Sequence, residues 1–223
     1  MNALPAACLG TLLDNDSFRV AVALRLGAPL CSPHVCRCGQ QVSEDGAHGL
    51  SCRLSAGRLS RHSAVNDLIK RALVTAGVPS ILEPSGVSRN DGKRPDGMSI
   101  FPWSRGKALI WDFTCVDTLA PSRLRLSCQA PGGSTAAEAD RRKIDKYSSL
   151  QHRHNFMPIA IETLRAWGPD ALKLAGQIGR RISSITNDAR ATSFFIQRLS
   201  LAVQRGNAAC ILGTIPKMQG LPF

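Results

Sequence analysis

The stretch that decides the fold is 94-RPDG-97 followed by 107-KALIWDFTCV-116, which separates Asp96 from Asp112 by sixteen positions. Pro95 and Gly97 mark a bend at the first aspartate. The second aspartate lies in a β-rich run, and strand alternation sorts that run into two faces. One face carries Leu109, Trp111, Phe113 and Cys115, and the other carries Ile110, Asp112 and Thr114. Two carboxylates on neighbouring strands predict a Mg²⁺ site, because Mg²⁺ prefers oxygen ligands.

The composition of the chain favours a folded protein that binds an acidic partner. The 223 residues carry a formal net charge of +12, and 43% of them are hydrophobic. A hydrophobic fraction of this size supports a core, and a basic surface raises affinity for nucleic acid. An apolar run of membrane-spanning length and a basic secretory n-region are both lacking, so we expect no membrane partner. Two carboxylates that are predicted to bind Mg²⁺, in a chain of high positive charge, indicate a metal-dependent nuclease.

The hydrophobic pattern predicts an α/β fold with a mixed sheet and helices at the C-terminus. Expected helices span Ser17–Leu26, Leu59–Ala76, Ala136–Leu150, Pro169–Ser183 and Asp188–Gln204, and expected strands span Ser80–Glu83, Arg94–Phe101, Lys107–Val116 and Phe156–Ile161. A Pro/Gly-rich loop is expected at Gln129–Thr135. The corresponding division of the chain is an N-terminal helical segment (1–30), a Cys/His lobe (31–57), a core (58–165) and a helical extension (166–223).

A cluster of cysteine and histidine predicts a structural zinc site. Cys36, Cys38, His48 and Cys52 form a C-x-C-x9-H-x3-C pattern, and four of the eight cysteines lie between positions 31 and 52. Zinc takes four sulfur or nitrogen ligands in a tetrahedron, and a closed set leaves no open position for catalysis. Cys31 and His34 are possible substitutes for one ligand. Local clustering of this kind is typical of metal binding in a reducing compartment.

Basic residues after the Pro/Gly loop can complete a phosphate site. Lys143 and Tyr147 share one helix face at i and i+4, and Lys146 borders that face. Either lysine could hold a scissile phosphate. The backbone carbonyl of Phe113 is a further candidate Mg²⁺ ligand, and Glu83 is a candidate third carboxylate. A charge at a strand edge is the simpler interpretation of Glu83.

These motifs, in this order, resemble the PD-(D/E)XK nucleases, and more closely the restriction-like endonuclease domain of site-specific non-LTR retrotransposons. The resemblance covers roughly residues 31–165. The resemblance depends on the predicted zinc ligands, which form a Cys-Cys-His-Cys knuckle, and on the motifs that follow them. These motifs are Arg61-His62, Arg94-Pro95-Asp96, Asp112 and the K-x-x-K-Y run of Lys143, Lys146 and Tyr147. Thr114 stands where the general superfamily has a lysine, so the lysine is expected from the following helix, with Lys143 preferred over Lys146.

The resemblance implies a fold, an activity and a set of residue roles. The fold is a restriction-endonuclease-like αβββαβ core, and the activity is Mg²⁺-dependent hydrolysis of DNA phosphodiesters. Asp96, Asp112, Lys143, Lys146 and Tyr147 are the expected catalytic residues; Asp96, Asp112, Phe113 and Glu83 the Mg²⁺ ligands; and Arg61, His62, Arg94, Arg141 and Arg142 the nucleic-acid contacts.

The expected partner is DNA, with the RNA of an element or a reverse transcriptase domain as a further partner, in the nucleus. The chain is interpreted as part of an element, a gene-model remnant or a domain serving its host. Two other functions stay open at this stage. One is a non-catalytic DNA-binding module on a nuclease scaffold. The other is a protein-interaction domain that uses apolar residues of Ser193–Val203.

Overall fold

The computed structural model describes residues 5–88, 91–164 and 166–216. Seven helices and six strands are found in these ranges. The helices are α1 (Asn15–Leu26), α2 (His48–Ser51), α3 (Ala56–Thr75), α4 (Pro121–Gln129), α5 (Ser134–Lys146), α6 (Pro169–Thr186) and α7 (Ala191–Leu212). The strands are β1 (His34–Val35), β2 (Gln41–Val42), β3 (Ser80–Leu82), β4 (Gly97–Ser104), β5 (Lys107–Val116) and β6 (Asn155–Glu162).

The main sheet is mixed and has the strand order β3-β4-β5-β6. β3 pairs antiparallel with β4, β4 pairs antiparallel with β5, and β5 pairs parallel with β6. A parallel pair needs a crossover connection, which α4 and α5 supply between β5 and β6. The predicted α/β class with a mixed sheet and C-terminal helices is confirmed.

The sheet is covered on both faces, and this explains the two-sided burial of β5. Leu109, Trp111 and Phe113 enter the main hydrophobic core together with residues of α3, α6 and α7. On the other face, Val116 packs with alanines of α5 and β6. The alternation predicted for β5 is confirmed, and Ile110 on the second face is buried as well. Asp112, on that second face, is consequently a nearly buried carboxylate.

α7 ties the N-terminal lobe to the sheet. It packs against α1, α2, α3 and α6, and its residues contribute to the main core, which therefore crosses the boundary expected at residue 165. Two close approaches to α3 depend on glycine. A Cβ on Gly57 would lie 2.5 Å from the backbone nitrogen of Cys210, and a Cβ on Gly206 would lie 2.4 Å from the Cβ of Arg61. None of the helices in the described ranges is long and apolar enough to span a membrane.

Three of the differences between the predicted and the observed elements have a local reason. β4 begins at Gly97 rather than at Arg94, since Pro95 has no N–H for a ladder, and it continues past a register shift near Pro102. Helix α4 was not predicted, because its residues bury no face against the core. α5 ends at Lys146 rather than at Leu150, and Tyr147 occupies its C-cap before a 3-10 turn at Ser148–Leu150.

Candidate metal centre and carboxylate site

Four side chains of the N-terminal lobe converge as a metal-binding group. Cys36 and Cys38 come from the turn that joins β1 to β2, where Gly39 adopts a left-handed conformation with φ 86°. His48 begins α2, and Cys52 caps its end. The ligand atoms of Cys36, Cys38, His48 and Cys52 all lie within 4.8 Å of one another. The predicted ligand set is therefore assembled and could bind a metal such as zinc.

The distance between two sulfurs of this group fits a zinc tetrahedron. The sulfurs of Cys36 and Cys52 are 3.7 Å apart, close to the roughly 3.8 Å edge that Zn–S bonds of about 2.3 Å give. Nε2 of His48 lies 3.2 Å from the Cys38 sulfur. A hydrogen bond from the backbone of Gln40 holds the pKa of the Cys38 thiol below its usual value, whereas burial raises the pKa of Cys52.

The two alternative ligands lie outside the group. The Cys31 sulfur faces the carbonyl oxygens of Ser43 and Glu44, at 3.5 and 3.8 Å. The ring of His34 is held on both sides, by the Ser32 carbonyl at 2.9 Å and by the Thr214 hydroxyl at 3.3 Å. Both residues support the lobe through these contacts.

Asp112 is held by two side chains from the end of α5. Lys143 Nζ forms an ion pair with Asp112 Oδ1, and the Tyr147 hydroxyl donates to Asp112 Oδ2. The same hydroxyl lies 3.1 Å from the backbone carbonyl of Arg94, and the Tyr147 ring stacks on Phe156 with centroids 4.4 Å apart. The Asp112 side chain is 8% exposed, so its charge needs the cation that Lys143 provides.

Asp96 reaches the same part of β5 from the strand edge. Its backbone N–H bonds the Trp111 carbonyl at 3.0 Å, and its Oδ2 accepts the backbone N–H of Phe113 at 2.6 Å. That second bond brings the Asp96 carboxylate beside the residue that follows Asp112. The Phe113 carbonyl leaves the strand on the same side as its N–H, as in any extended chain. Asp96 and the Phe113 carbonyl therefore face one another as possible oxygen ligands.

His62 on α3 contacts the Asp96 carboxylate with its side chain. Its Nε2 lies 3.1 Å from Asp96 Oδ2, and its ring packs beside Phe113 with centroids 5.7 Å apart. The hydrogen bond to Asp96 raises the pKa of His62, and burial works in the opposite direction. The charge of Asp112 also raises the pKa of His62 and that of Lys143 lowers it, so both side chains lie within electrostatic range of His62.

A hydrogen-bond chain behind His62 was not predicted from sequence. The Trp111 indole N–H donates to Asn66 Oδ1 at 3.0 Å, and Asn66 Nδ2 lies 3.2 Å from His62 Nδ1. An indole can only donate, so it fixes the carbonyl end of the Asn66 amide and leaves the N–H₂ end facing His62. His62 Nδ1 therefore accepts, and the proton of a neutral His62 lies on Nε2, towards Asp96. The i, i+4 spacing of His62 and Asn66 is the one sequence signal for this chain.

Glycine at position 97 makes room for the indole. A Cβ on Gly97 would lie 2.0 Å from the Trp111 ring, so the ring occupies the place of a side chain next to Asp96. Glycine is therefore required at position 97, where β4 begins, by the ring of Trp111, which also donates the first bond of the hydrogen-bond chain. The tight fit links the RPDG bend to the WDF run through direct packing.

Two other predicted residues, Glu83 and Lys146, are placed differently from the two aspartates. Glu83 has a left-handed backbone with φ 46°, and its carboxylate is 74% exposed and paired with Arg94 at 3.2 Å. Glu83 therefore turns away from Asp96, although its N–H bonds the Asp96 carbonyl at 2.9 Å. Lys146 lies almost one turn after Lys143 at the end of α5 and is exposed. The structure thus brings Lys143, and not Lys146, to the carboxylates.

The predicted nucleic-acid contacts divide into buried and exposed arginines. Arg61 is 5% exposed, and its guanidinium bonds the side-chain oxygen of Asn207 on α7 at 2.6 Å. This position does not fit the predicted backbone contact and indicates a role in joining α3 to α7. Arg94, Arg141 and Arg142 are exposed, and Arg142 pairs with Glu138 one turn away.

Two further buried acids, Glu162 and Asp140, form hydrogen bonds that join neighbouring elements of the fold. Glu162 at the end of β6 accepts bonds from the Thr135 hydroxyl at 2.5 Å and the Ala136 N–H at 3.2 Å, and thereby caps the start of α5. Asp140 Oδ1 accepts from the Ala160 N–H at 3.1 Å. Burial, followed by the charge of Asp170, raises the pKa of Asp140 to about 7. Neither acid contacts the Asp96–Asp112 site.

No protein-family model matches the chain, and no curated protein matches it. The resemblance to a retrotransposon endonuclease therefore depends on the motif residues themselves. Of those residues, Asp96, Asp112, Lys143, Tyr147 and His62 meet in one place, and the four cysteine and histidine ligands meet in another.

Proposed function

We propose that the chain is a metal-dependent DNA endonuclease with a restriction-endonuclease-like core and a structural zinc lobe. The observation that carries the proposal is the convergence of Lys143 and Tyr147 on Asp112, beside the Asp96 carboxylate. The Asp96 carboxylate accepts the backbone N–H of Phe113, the residue that follows Asp112. A lysine taken from the following helix supplies the cation that Thr114, on β5, does not. The net charge of +12 suits a phosphodiester substrate.

By their chemistry, the carboxylate and carbonyl oxygens of this site suit a Mg²⁺ ion. Asp96, Asp112 and the Phe113 carbonyl would hold it, and the ion would supply charge neutralisation and a water of lowered pKa. Lys143 contributes a positive charge at the Asp112 carboxylate, where a phosphate bound to the site would lie. Tyr147 fixes the orientation of Asp112 through the hydrogen bond that its hydroxyl donates to Asp112 Oδ2. His62, with its proton on Nε2, orients Asp96.

The proposal includes an origin and a setting for the chain. The ordered set of zinc ligands, RPD, Asp112 and K-x-x-K-Y supports descent from a site-specific non-LTR retrotransposon. DNA would be the substrate, nicked at a target site in the nucleus. The RNA or reverse transcriptase of an element would be a partner of the same complex.

The test is nicking of supercoiled plasmid by purified protein with Mg²⁺. Asp96→Ala and Asp112→Ala are expected to abolish nicking, and Lys143→Ala to slow it by about 100-fold or more, in the range typical of an electrostatic catalytic group. Lys146→Ala and Glu83→Gln are the matched controls, expected to stay within about threefold of the unmodified protein because Lys146 is exposed and Glu83 is exposed and paired with Arg94. Undiminished nicking by both aspartate variants would overturn the catalytic assignment.

One observation favours a second candidate, a non-catalytic DNA-binding module. Both oxygens of Asp112 already accept bonds from protein donors, so the carboxylate is stable without a metal. Salt-sensitive DNA binding with no nicking at any Mg²⁺ concentration would favour this module. A protein-interaction surface on Ser193–Val203 has less support, because Phe195, Leu199 and Leu201 are buried in the fold.

A further inference from the structure

A cleft opens beside the proposed active site, between the zinc lobe and the start of α3. Its volume is about 520 Å³, within the range of pockets that hold small ligands. One wall is formed by His62, Phe113 and Thr114, and His62 contacts the Asp96 carboxylate from this wall. Its outer wall is formed by Arg53, Arg58 and Leu59.

The electrostatics of the cleft suit an anion. The described residues that line it include three arginines and no carboxylate. The guanidinium of Arg58 is anchored over the lobe by bonds from its Nη1 to the carbonyls of Ser51 and Cys52, at 3.3 and 3.5 Å. Arg61 closes the floor from its buried position against Asn207. A charge held in place by such bonds loses little side-chain entropy when a phosphate binds.

The hydroxyl of Ser55 adds a second sign of a polar ligand. Ser55 is the N-cap residue of the 20-residue helix α3, yet its side chain makes no capping bond. Within the described part of the chain its Oγ is buried and has no hydrogen-bond partner. Buried polar atoms without partners are uncommon, and this one lines the arginine cleft at the positive end of a long helix.

One wall of the cleft is apolar and exposed. Leu59 is 77% exposed, and Leu54 next to Arg53 is 58% exposed. Apolar side chains beside a phosphate-binding surface are what proteins use to contact bases or to separate a base step. The combination of basic side chains, with Arg58 anchored, an unpaired hydroxyl and an exposed leucine on the cleft wall therefore matches one nucleotide with its phosphate.

We propose that this cleft is a subsite for the DNA strand that adjoins the scissile phosphate. Arg53, Arg58 and Ser55 bind one backbone phosphate, and Leu59 contacts the attached nucleotide. The subsite deepens the proposed nuclease function and rests on it for the identity of the strand. It gives the zinc lobe a direct part in substrate binding, because Arg53 follows the zinc ligand Cys52 in the chain.

The test is a fluorescence-anisotropy titration of a labelled DNA duplex of about 30 base pairs, without added divalent metal, over a series of salt concentrations. Arg53→Ala/Arg58→Ala is expected to lower affinity about 10-fold or more and to reduce the salt slope by about 1–2. Leu59→Ser should weaken binding about threefold with an unchanged slope, since it removes no charge. Zinc content and circular dichroism verify that the variants fold.

The matched control is Arg71→Ala/Arg190→Ala, which removes the same charge from side chains that are 68% and 87% exposed and lie away from the cleft. It is expected to stay within about twofold in affinity, and equal losses in both double variants would overturn the subsite. Nicking by the unmodified protein is scored separately. Active nicking with no selective effect of Arg53 and Arg58 removes the subsite alone, whereas selective loss of binding by an inactive protein keeps the subsite and removes the nuclease.

Discussion

The zinc-ligand group and the carboxylate site differ in how complete they are as protein structures. The four ligands Cys36, Cys38, His48 and Cys52 face one another, and the 3.7 Å between two sulfurs is the spacing that a bound ion would set. Asp96 and Asp112 instead face donors of the protein, which are the Phe113 amide, His62, Lys143 and Tyr147. We expect the lobe to depend on a bound metal for its cohesion, whereas the carboxylate site is organised by the contacts of the fold.

Removal of a zinc ligand should give the largest effect. Cys36→Ser is expected to lose the metal and to lower the melting temperature by more than about 10 °C, because structural zinc contributes on the order of 10 kcal/mol to small metal-held domains. Mass spectrometry for zinc and a thermal melt check this. Cys31→Ser, outside the ligand group, should keep about one zinc per chain. Equal zinc content in both variants would contradict the assigned ligand set.

Separation of the Asp112–Lys143 pair should have the next largest effect. The Asp112 side chain is 8% exposed and that of Lys143 is 24% exposed, so the coupling is only partly screened by solvent. A double-mutant cycle of Asp112→Asn and Lys143→Met in urea is expected to give about 1–3 kcal/mol of coupling free energy.

The exposed pair Glu138–Arg142 on the same helix is the control for this cycle, with an expected coupling of about 0.3–0.5 kcal/mol. If the two cycles gave the same value, the carboxylate site would not be organised by Lys143. The carboxylate site would then not be held together by an ion pair of the protein itself.

Asp140 offers a third kind of carboxylate, buried without a cation. Its pKa is raised to about 7 by burial, so the folded protein holds the proton more tightly than the unfolded chain. The stability that this proton provides is complete below the unfolded pKa of 3.8 and is lost as the pH rises towards 7. Asp140→Asn is expected to flatten the fall in unfolding free energy between pH 4.5 and 8 by about 2 kcal/mol.

Denaturant titrations across that pH range measure the difference. Asp145→Asn removes an exposed carboxylate from the same helix and should follow the unmodified protein. A profile of Asp140→Asn that also follows the unmodified protein would mean that the buried carboxyl is charged at neutral pH. Asp140, which has no cation beside it, would then behave like Asp112, which is paired with Lys143.

The features predicted from sequence are those with a short-range signal. The zinc ligands lie within seventeen consecutive positions, and the approach of Lys143 and Tyr147 follows from i, i+4 spacing on one helix. The faces of β5 follow from alternation. Each of these depends on spacing that is visible along the chain.

The features that could not be predicted depend on distant partners or on one backbone angle. Arg61 is buried because Asn207, 146 positions away, accepts its bond. Glu83 turns outward because its φ is 46°, a backbone angle that cannot be predicted from the chemistry of a glutamate side chain. The Trp111–Asn66 bond joins residues 45 positions apart, and α4 has no buried face to produce a periodic pattern.

The smallest predicted effect concerns the hydrogen-bond chain that orients Asp96. Trp111→Phe removes the indole donor, frees the Asn66 amide to turn, and should cost about 1–2 kcal/mol for the bond that is left unmade. Nitrogen NMR of the His62 imidazole should show the Nε2–H tautomer in the unmodified protein and a mixture in the variant. Trp103→Phe, which removes a buried indole of the same core, should leave the tautomer unchanged. If the variant at position 111 also kept a single Nε2–H tautomer, Asp96 alone would orient His62, and the carboxylate site would be organised by its own charges rather than by the core behind it.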